Sequence, residues 1–109
     1  MSTLSTHVLD TTTGNPAAGV QIRHEALSDT GWQLVSSAVT DADGRVPDLG
    51  PASRGTHRLI FDTGGHFARL GADCFYPEVA VTFDLADEQR HYHVPLLIGP
   101  FGYTTYRGS

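Results

Sequence analysis

The chain contains one cysteine and no lysine. A single cysteine, Cys74, excludes an intrachain disulfide and gives no sign of an oxidising compartment. No neighbour in the sequence would activate its thiol, so we expect a small buried residue rather than a nucleophile. The seven basic residues are all arginine and are dispersed. With a net charge of -5 and no basic cluster to displace phosphate counterions, we expect no nucleic-acid partner.

Long apolar runs are also missing. No stretch approaches the ~20 residues that a membrane helix needs, and residues 1–3 carry no basic region of a signal peptide. We therefore expect a cytoplasmic protein without membrane contact. Its 109 residues, 39% hydrophobic and 17% charged, fit one globular domain. A domain of this size buries only roughly 65% of its unfolded surface, so a lone monomer should be marginally stable.

Short alternating runs recur between clusters of Gly, Pro, Asn and Asp, which is the pattern of an all-β sandwich. Residues 13–16 and 41–44 are predicted turns, because Asn and Asp cap their own backbone and Gly supplies positive φ. One or two helical turns are predicted at 66–70. The predicted strands cover residues 4–10, 19–27, 32–40, 44–48, 56–63, 78–84, 91–98 and 102–107.

Strand periodicity separates the histidines of the last long strand from its core residues. Because successive side chains alternate between faces, His91 and His93 lie together on one face. By the same count His7 shares a face with Ser5 in the first strand. The predicted core residues of the last long strand are Tyr92, Val94, Leu96 and Ile98, and other inward or interface-facing residues are His57, Leu59, Phe61, Val79, Val81 and Phe83.

Three separated segments resemble the 5-hydroxyisourate hydrolases, the transthyretin-like enzymes of urate breakdown. They are Leu-Ser-Thr-His-Val-Leu-Asp at 4–10, Thr-Asp-Ala-Asp-Gly-Arg at 40–45, and His-Tyr-His-Val-Pro at 91–95 followed by Tyr-Arg-Gly-Ser at 106–109. The last four residues are the most diagnostic, because hormone-carrying transthyretins share the fold but lack them. The resemblance implies a single domain over 1–109, a transthyretin-like (prealbumin-like) sandwich of two four-stranded sheets with one short helix.

The same resemblance implies an activity and a site. The reaction is hydrolysis of 5-hydroxyisourate to 2-oxo-4-hydroxy-4-carboxy-5-ureidoimidazoline, without a cofactor or a metal. The implied assembly is a homotetramer, a dimer of dimers, with the sites in the channel where the dimers meet. The implied catalytic residues are His7, Arg45, His93 and Ser109, and Tyr106 and Arg107 join them as substrate-binding residues.

These residue types suit the implied reaction. A histidine near neutral pKa can take a proton from water, and a second can hold the geometry or protonate the leaving nitrogen; His7 and His93 are the candidates. Arg45 would stabilise the developing oxyanion with its two-pronged donor geometry. The tail supplies further hydrogen bonds from Arg107 and Ser109, with Gly108 allowing close approach to the ligand.

Other interpretations of the same residues remain open at this point. Alternate strand residues project together, so His91 and His93 could hold zinc, although no cysteine or carboxylate stands at a matching spacing. Without the resemblance, a lone His7 or a loop arginine such as Arg45 is usually an ordinary surface residue. The histidines read as structural or surface residues are His24, His57, His66 and His91.

Two other classes of function compete with the hydrolase. A transthyretin-like carrier would hold an apolar ligand in the same channel, but it would need a lining of aliphatic and hydroxyl residues instead of two histidines and an arginine. A structural prealbumin-like module would share the turn patterns at 13–20 and 40–44. Such a module has no reason to carry Tyr-Arg-Gly-Ser.

Overall fold

A computed structural model describes residues 1–86 and 89–108, which form two packed β-sheets and one helix. Their elements, in chain order, are β1 (Thr3–Asp10), β2 (Asn15–Pro16), β3 (Gln21–Ser28), β4 (Gly31–Val39), β5 (Arg45–Val46), β6 (Gly55–Phe61), α1 (Thr63–Arg69), β7 (Val79–Leu85), β8 (His91–Gly99) and β9 (Gly102–Thr105).

The predicted all-β sandwich with one short helix is confirmed, with one correction to the strand count. One sheet has the order β4-β3-β6-β7, and the other runs β2-β1-β8-β9 with β5 also paired to β1. The second sheet therefore has five strands instead of the expected four, because β2 adds to the edge of β1. Its two residues, Asn15 and Pro16, lie in a predicted turn and are too few to show an alternating pattern.

The core lies between the sheets and follows the predicted alternation. On β8 the four predicted core residues are all buried, and on β1 Leu4 and Val8 are fully buried. Leu59 and Phe61 of β6 and Phe67 of the helix close the core from the other side. This packing leaves the outward face of β1 and β8 available for polar side chains.

The helix begins three residues earlier than predicted, at Thr63. The carboxylate of Asp62 accepts a hydrogen bond from the backbone N–H of Gly65 at 3.0 Å, which satisfies one of the free donors of the first turn. This cap offsets the poor helix propensity of Gly64 and Gly65. The helix has seven residues and is neither long nor apolar enough to cross a membrane. The described ranges contain no other helix.

Two histidines are core residues. His24 and His57 are 0% and 1% exposed, and their facing ring nitrogens lie 2.9 Å apart. Their outer nitrogens lie 2.7 Å from the carbonyl oxygens of Leu49 and Ser53. His57 points inward as predicted, and both rings are held by structural contacts. Cys74 is partly buried against the core.

A third buried histidine, His66, ties α1 to β1. Its Nε2 lies 2.9 Å from the carboxylate of Asp10, and both residues are buried. Burial alone would raise the pKa of Asp10, but the hydrogen bond from His66 and those from Thr12 outweigh it and hold the pKa below its usual value of 3.8. The ionised carboxylate is therefore the form that the folded state prefers.

We predict that this pair stabilises the fold only where Asp10 is ionised. A lowered carboxylate pKa adds stability that is present above the unfolded pKa of about 3.9 and is lost as the pH falls through the folded value. Urea unfolding of the parent and of Asp10→Asn should thus differ most at pH 7 and converge on acidification below about pH 4. A difference that stays constant down to pH 2 would contradict this.

Candidate functional site

The site is built around β1, which carries His7 on its outward face. In the antiparallel β1–β5 pair His7 stands directly opposite Arg45. In the parallel β1–β8 pair Ser5 stands opposite His93, and His7 is aligned with Pro95. The three predicted residues His7, Arg45 and His93 are therefore brought to one face of one sheet, although they come from three separate parts of the chain.

A tight turn fixes the backbone of Arg45. The Asp41 carboxylate accepts a hydrogen bond from the Arg45 backbone N–H at 2.9 Å. Gly44 has a φ of 75° and its carbonyl accepts a 2.7 Å hydrogen bond from Val8 of β1. A Cβ at position 44 would lie 2.4 Å from the Val8 carbonyl oxygen, so only glycine permits this close approach. The turn is predicted by its Asp-Ala-Asp-Gly sequence, and its function here is to deliver Arg45 to the edge of β1.

His93 is half-buried in the middle of the group. Burial, followed by the proximity of His7, Arg45 and His91, lowers the pKa of His93 below its usual 6.5. A lowered histidine pKa means that the neutral ring, which can accept a proton, dominates at neutral pH. Nδ1 of His93 lies 2.8 Å from the hydroxyl oxygen of Ser5.

Ser5 is not among the predicted site residues, and His91 is predicted as a structural or surface residue. Ser5 Oγ also lies 2.9 Å from His91 Nε2, so one hydroxyl joins two imidazoles. The signal was present in part, because alternation places Ser5 on the face of His7. Alternation does not predict which strand pairs with β1 or in which register. The pairing with β8 and its register place Ser5 beside His93.

The segment after β9 returns to His93. The Gly108 backbone N–H donates to the His93 carbonyl oxygen at 2.8 Å, and a Cβ at position 108 would lie 2.6 Å from Cδ2 of the His93 ring. The close approach that the structure describes at Gly108 is to His93, and the predicted approach to the ligand stays a prediction. Arg107 lies over the Tyr92 ring at 5.4 Å, and the tail serine, Ser109, lies outside the described residues.

Four of the predicted substrate-binding residues line two grooves: Arg45, His93, Tyr106 and Arg107. A groove of about 320 Å³ is lined by Ser5, Thr6, Arg45, Pro47 and His93. Tyr106 and Arg107 line a second groove of about 250 Å³, which β7 bounds and which His93 also touches. His93 is thus the residue common to both.

The first groove combines a guanidinium, a neutral imidazole and a hydroxyl. Such a set can hold a small planar molecule by its carbonyl oxygens and take a proton from a bound water. Within residues 1–86 and 89–108, no three His, Cys, Asp or Glu side chains come together as a metal ion would need. His91 and His93 share the hydroxyl of Ser5.

Comparison with known proteins gives consistent matches. The model of the HIUase/Transthyretin family matches residues 4–108. The 5-hydroxyisourate hydrolase of Salmonella typhimurium is 46% identical over an alignment that covers 97% of this chain and 80% of that protein. The solved structure of Klebsiella pneumoniae 5-hydroxyisourate hydrolase superposes with a TM-score of 0.89 at 38% identity, over 100% of both chains.

A carrier matches the same fold equally well. Sea bream transthyretin in complex with thyroxine superposes with a TM-score of 0.91 at 33% identity, over 96% of this chain and 93% of that one. The backbone alone therefore does not separate hydrolysis from carriage. The side chains in the groove must decide between them.

Proposed function

The chain belongs to the HIUase/Transthyretin family, and we propose that it hydrolyses 5-hydroxyisourate to 2-oxo-4-hydroxy-4-carboxy-5-ureidoimidazoline in urate catabolism. The observation that carries the proposal is the convergence of His7, Arg45 and His93 on one sheet face. Imidazole and guanidinium groups are what hydrolysis of a cyclic C–N bond requires, and an apolar carrier site has no use for them.

In the proposed mechanism His93 is the general base. Its neutral ring takes a proton from water at Nε2 while the water oxygen attacks the ring carbonyl carbon. Arg45 stabilises the negative charge that develops on the carbonyl oxygen. His7 then protonates the leaving nitrogen as the C–N bond breaks.

The tail completes this site in the proposal. Gly108 holds the chain against His93. We assign hydrogen bonds to the substrate to Arg107, and packing to Tyr106, which line the second groove. Ser109 joins His7, Arg45 and His93 as a proposed catalytic residue on the resemblance alone.

The test follows the ultraviolet decay of freshly made 5-hydroxyisourate after adding the pure protein, with and without a chelator. We expect decay well above the buffer rate in both cases, because every proposed step uses side chains of the chain. Decay at the buffer rate would refute the hydrolase, and abolition by the chelator would refute the metal-free mechanism. Tight binding of thyroxine without hydrolysis would instead support the carrier, which the sea bream match favours.

We further propose a homotetramer, a dimer of dimers, with the sites between the dimers. An open groove and several exposed aromatic residues support association, among them Phe101 at 70% and Tyr106 at 58% exposure. Light scattering at micromolar concentration should give a mass four times that of the 11.7 kDa chain. A stable monomer with full activity would show that the site needs no partner.

A further inference from the structure

Four side chains form a hydrogen-bonded row from the surface to His93. Thr3 Oγ1 lies 2.6 Å from His91 Nδ1, His91 Nε2 lies 2.9 Å from Ser5 Oγ, and Ser5 Oγ lies 2.8 Å from His93 Nδ1. The parallel register creates this row, because it sets Thr3 opposite His91 and Ser5 opposite His93 on one face. Thr3 and His91 are exposed, whereas Ser5 is only 7% exposed.

The single proton of the Ser5 hydroxyl restricts how this row can be hydrogen bonded. Among residues 1–86 and 89–108 the side-chain partners of Ser5 Oγ are His91 and His93, and Ser5 is buried, so we assign its proton to one of these two rings. If Ser5 donates to His93, it accepts from His91, and both rings carry their proton on Nε2. If Ser5 donates to His91, it accepts from His93, and both rings carry their proton on Nδ1.

The two arrangements differ at the atom that meets the groove. With the protons on Nδ1, Nε2 of His93 has a free lone pair and can accept a proton. With the protons on Nε2, Nε2 of His93 has no free lone pair and cannot accept a proton. Converting the Nδ1 arrangement into the Nε2 arrangement takes up one proton at Nε2 of His93, shifts two protons by one hydrogen bond each and releases one proton from Nδ1 of His91. Both rings are neutral before and after.

We propose that Ser5 and His91 are positioning residues that set the tautomer of His93 and carry its proton to solvent. This inference rests on the proposed hydrolysis and adds to it two residues that act through His93. Burial and the proximity of His7, Arg45 and His91 disfavour a cationic His93. A route that removes the proton without charging the ring avoids that cost.

In this relay the proton of the attacking water enters the row at His93. An O–H bond of the attacking water breaks and its electron pair forms the new C–O bond, while the π pair of the carbonyl moves onto the carbonyl oxygen, which Arg45 stabilises. The proton of the water binds Nε2 of His93. The Nδ1 proton of His93 passes to Ser5, the proton of Ser5 passes to His91 Nε2, and the Nδ1 proton of His91 passes through Thr3 to solvent. One proton leaves the site for each water that attacks.

The first test needs no substrate. Nitrogen-15 spectra of the imidazole rings in the parent protein at about pH 8, above the ordinary histidine pKa of ~6.5, report which nitrogen carries each proton. We expect His91 and His93 to show the same tautomer, and Ser5→Ala to uncouple them. Opposite tautomers in the parent protein would overturn the proposal whatever the activity is.

The second test compares Ser5→Ala and His91→Phe in the decay assay, with Ser37→Ala on the exposed face of β4 as the matched control. We expect each relay variant to lower kcat about tenfold or more with little change in KM, because general-base assistance is impaired and binding is not. The double variant should be no slower than the worse single one, since both remove the same route. Ser37→Ala should behave as the parent.

The outcomes separate the relay from the hydrolase. An inactive parent refutes the proposed function, and the ring spectra still decide the coupling. An active parent with unchanged kcat in His91→Phe refutes the relay alone. Because His91 is exposed, that variant gives an answer even if Ser5→Ala fails to fold.

Discussion

Replacing His93 with Asn is expected to reduce kcat about 100-fold or more while the protein remains folded and assembled. The asparagine side chain can still hydrogen bond to Ser5, but it cannot take a proton from water at neutral pH. His93 is only half-buried and lies outside the core, so little packing is lost. Steady-state kinetics, corrected for the spontaneous decay of the substrate, measure the effect.

His66→Asn is the matched control for this replacement. His66 is buried and paired with Asp10, away from the groove, so its loss should lower the free energy of unfolding yet leave kcat of the folded protein near the parent value. His93→Asn should thus lower kcat with little change in stability, whereas His66→Asn should lower stability with little change in kcat. If His93→Asn turns over at the parent rate, the general base is another group and His7 becomes the first candidate.

Deleting residues 106–109 is expected to produce an equally severe loss of activity with a nearly intact fold. Tyr106 and Arg107 are exposed, and the main tie of the segment to β8 is the hydrogen bond from Gly108 to His93. Little core is therefore removed, whereas positioning contributions to catalysis are typically on the order of 100-fold. Circular dichroism, light scattering and kinetics together test this expectation.

Gly108→Ala is the finer form of the same experiment. A Cβ 2.6 Å from the His93 ring must displace either the ring or the tail, so we expect an intermediate loss of kcat in a protein of full length. A truncated protein that is folded, tetrameric and fully active would show that the tail has no part in the chemistry.

The sequence predicts the faces of the strands better than their partners. Alternation correctly assigns Tyr92 and Leu96 to the core and His93 to the outer face, because one side of each strand must be apolar. It says nothing about which strand lies beside which. The parallel pairing of β1 with β8, and with it the contact of Ser5 with His93, follows from the whole topology and not from any local pattern.

Short elements and buried polar pairs are two other features that the sequence does not predict. The two residues of β2 are too few to show a periodic pattern. Gly64 and Gly65 have poor helix propensity, so the sequence does not predict that α1 begins at Thr63, where Asp62 caps it. His57 is predicted to point inward, but its partner His24 comes from another strand, 33 residues away in sequence. The family resemblance names His7, Arg45 and His93, and the register explains how they meet.

The parallel pairing of β1 with β8 also determines when the site can exist during folding. Ser5 and His93 are 88 residues apart in sequence, so their contact closes almost the whole chain into a loop. Closing such a loop is entropically costly and is repaid only after many distant contacts have formed, which makes this kind of pairing slow. The β3–β4 hairpin can form locally and early, but it contains no residue of either groove. If the proposed site is the catalytic one, a partly folded chain lacks it, and we expect the recovery of activity on refolding to report completion of the sheet that contains β1 and β8.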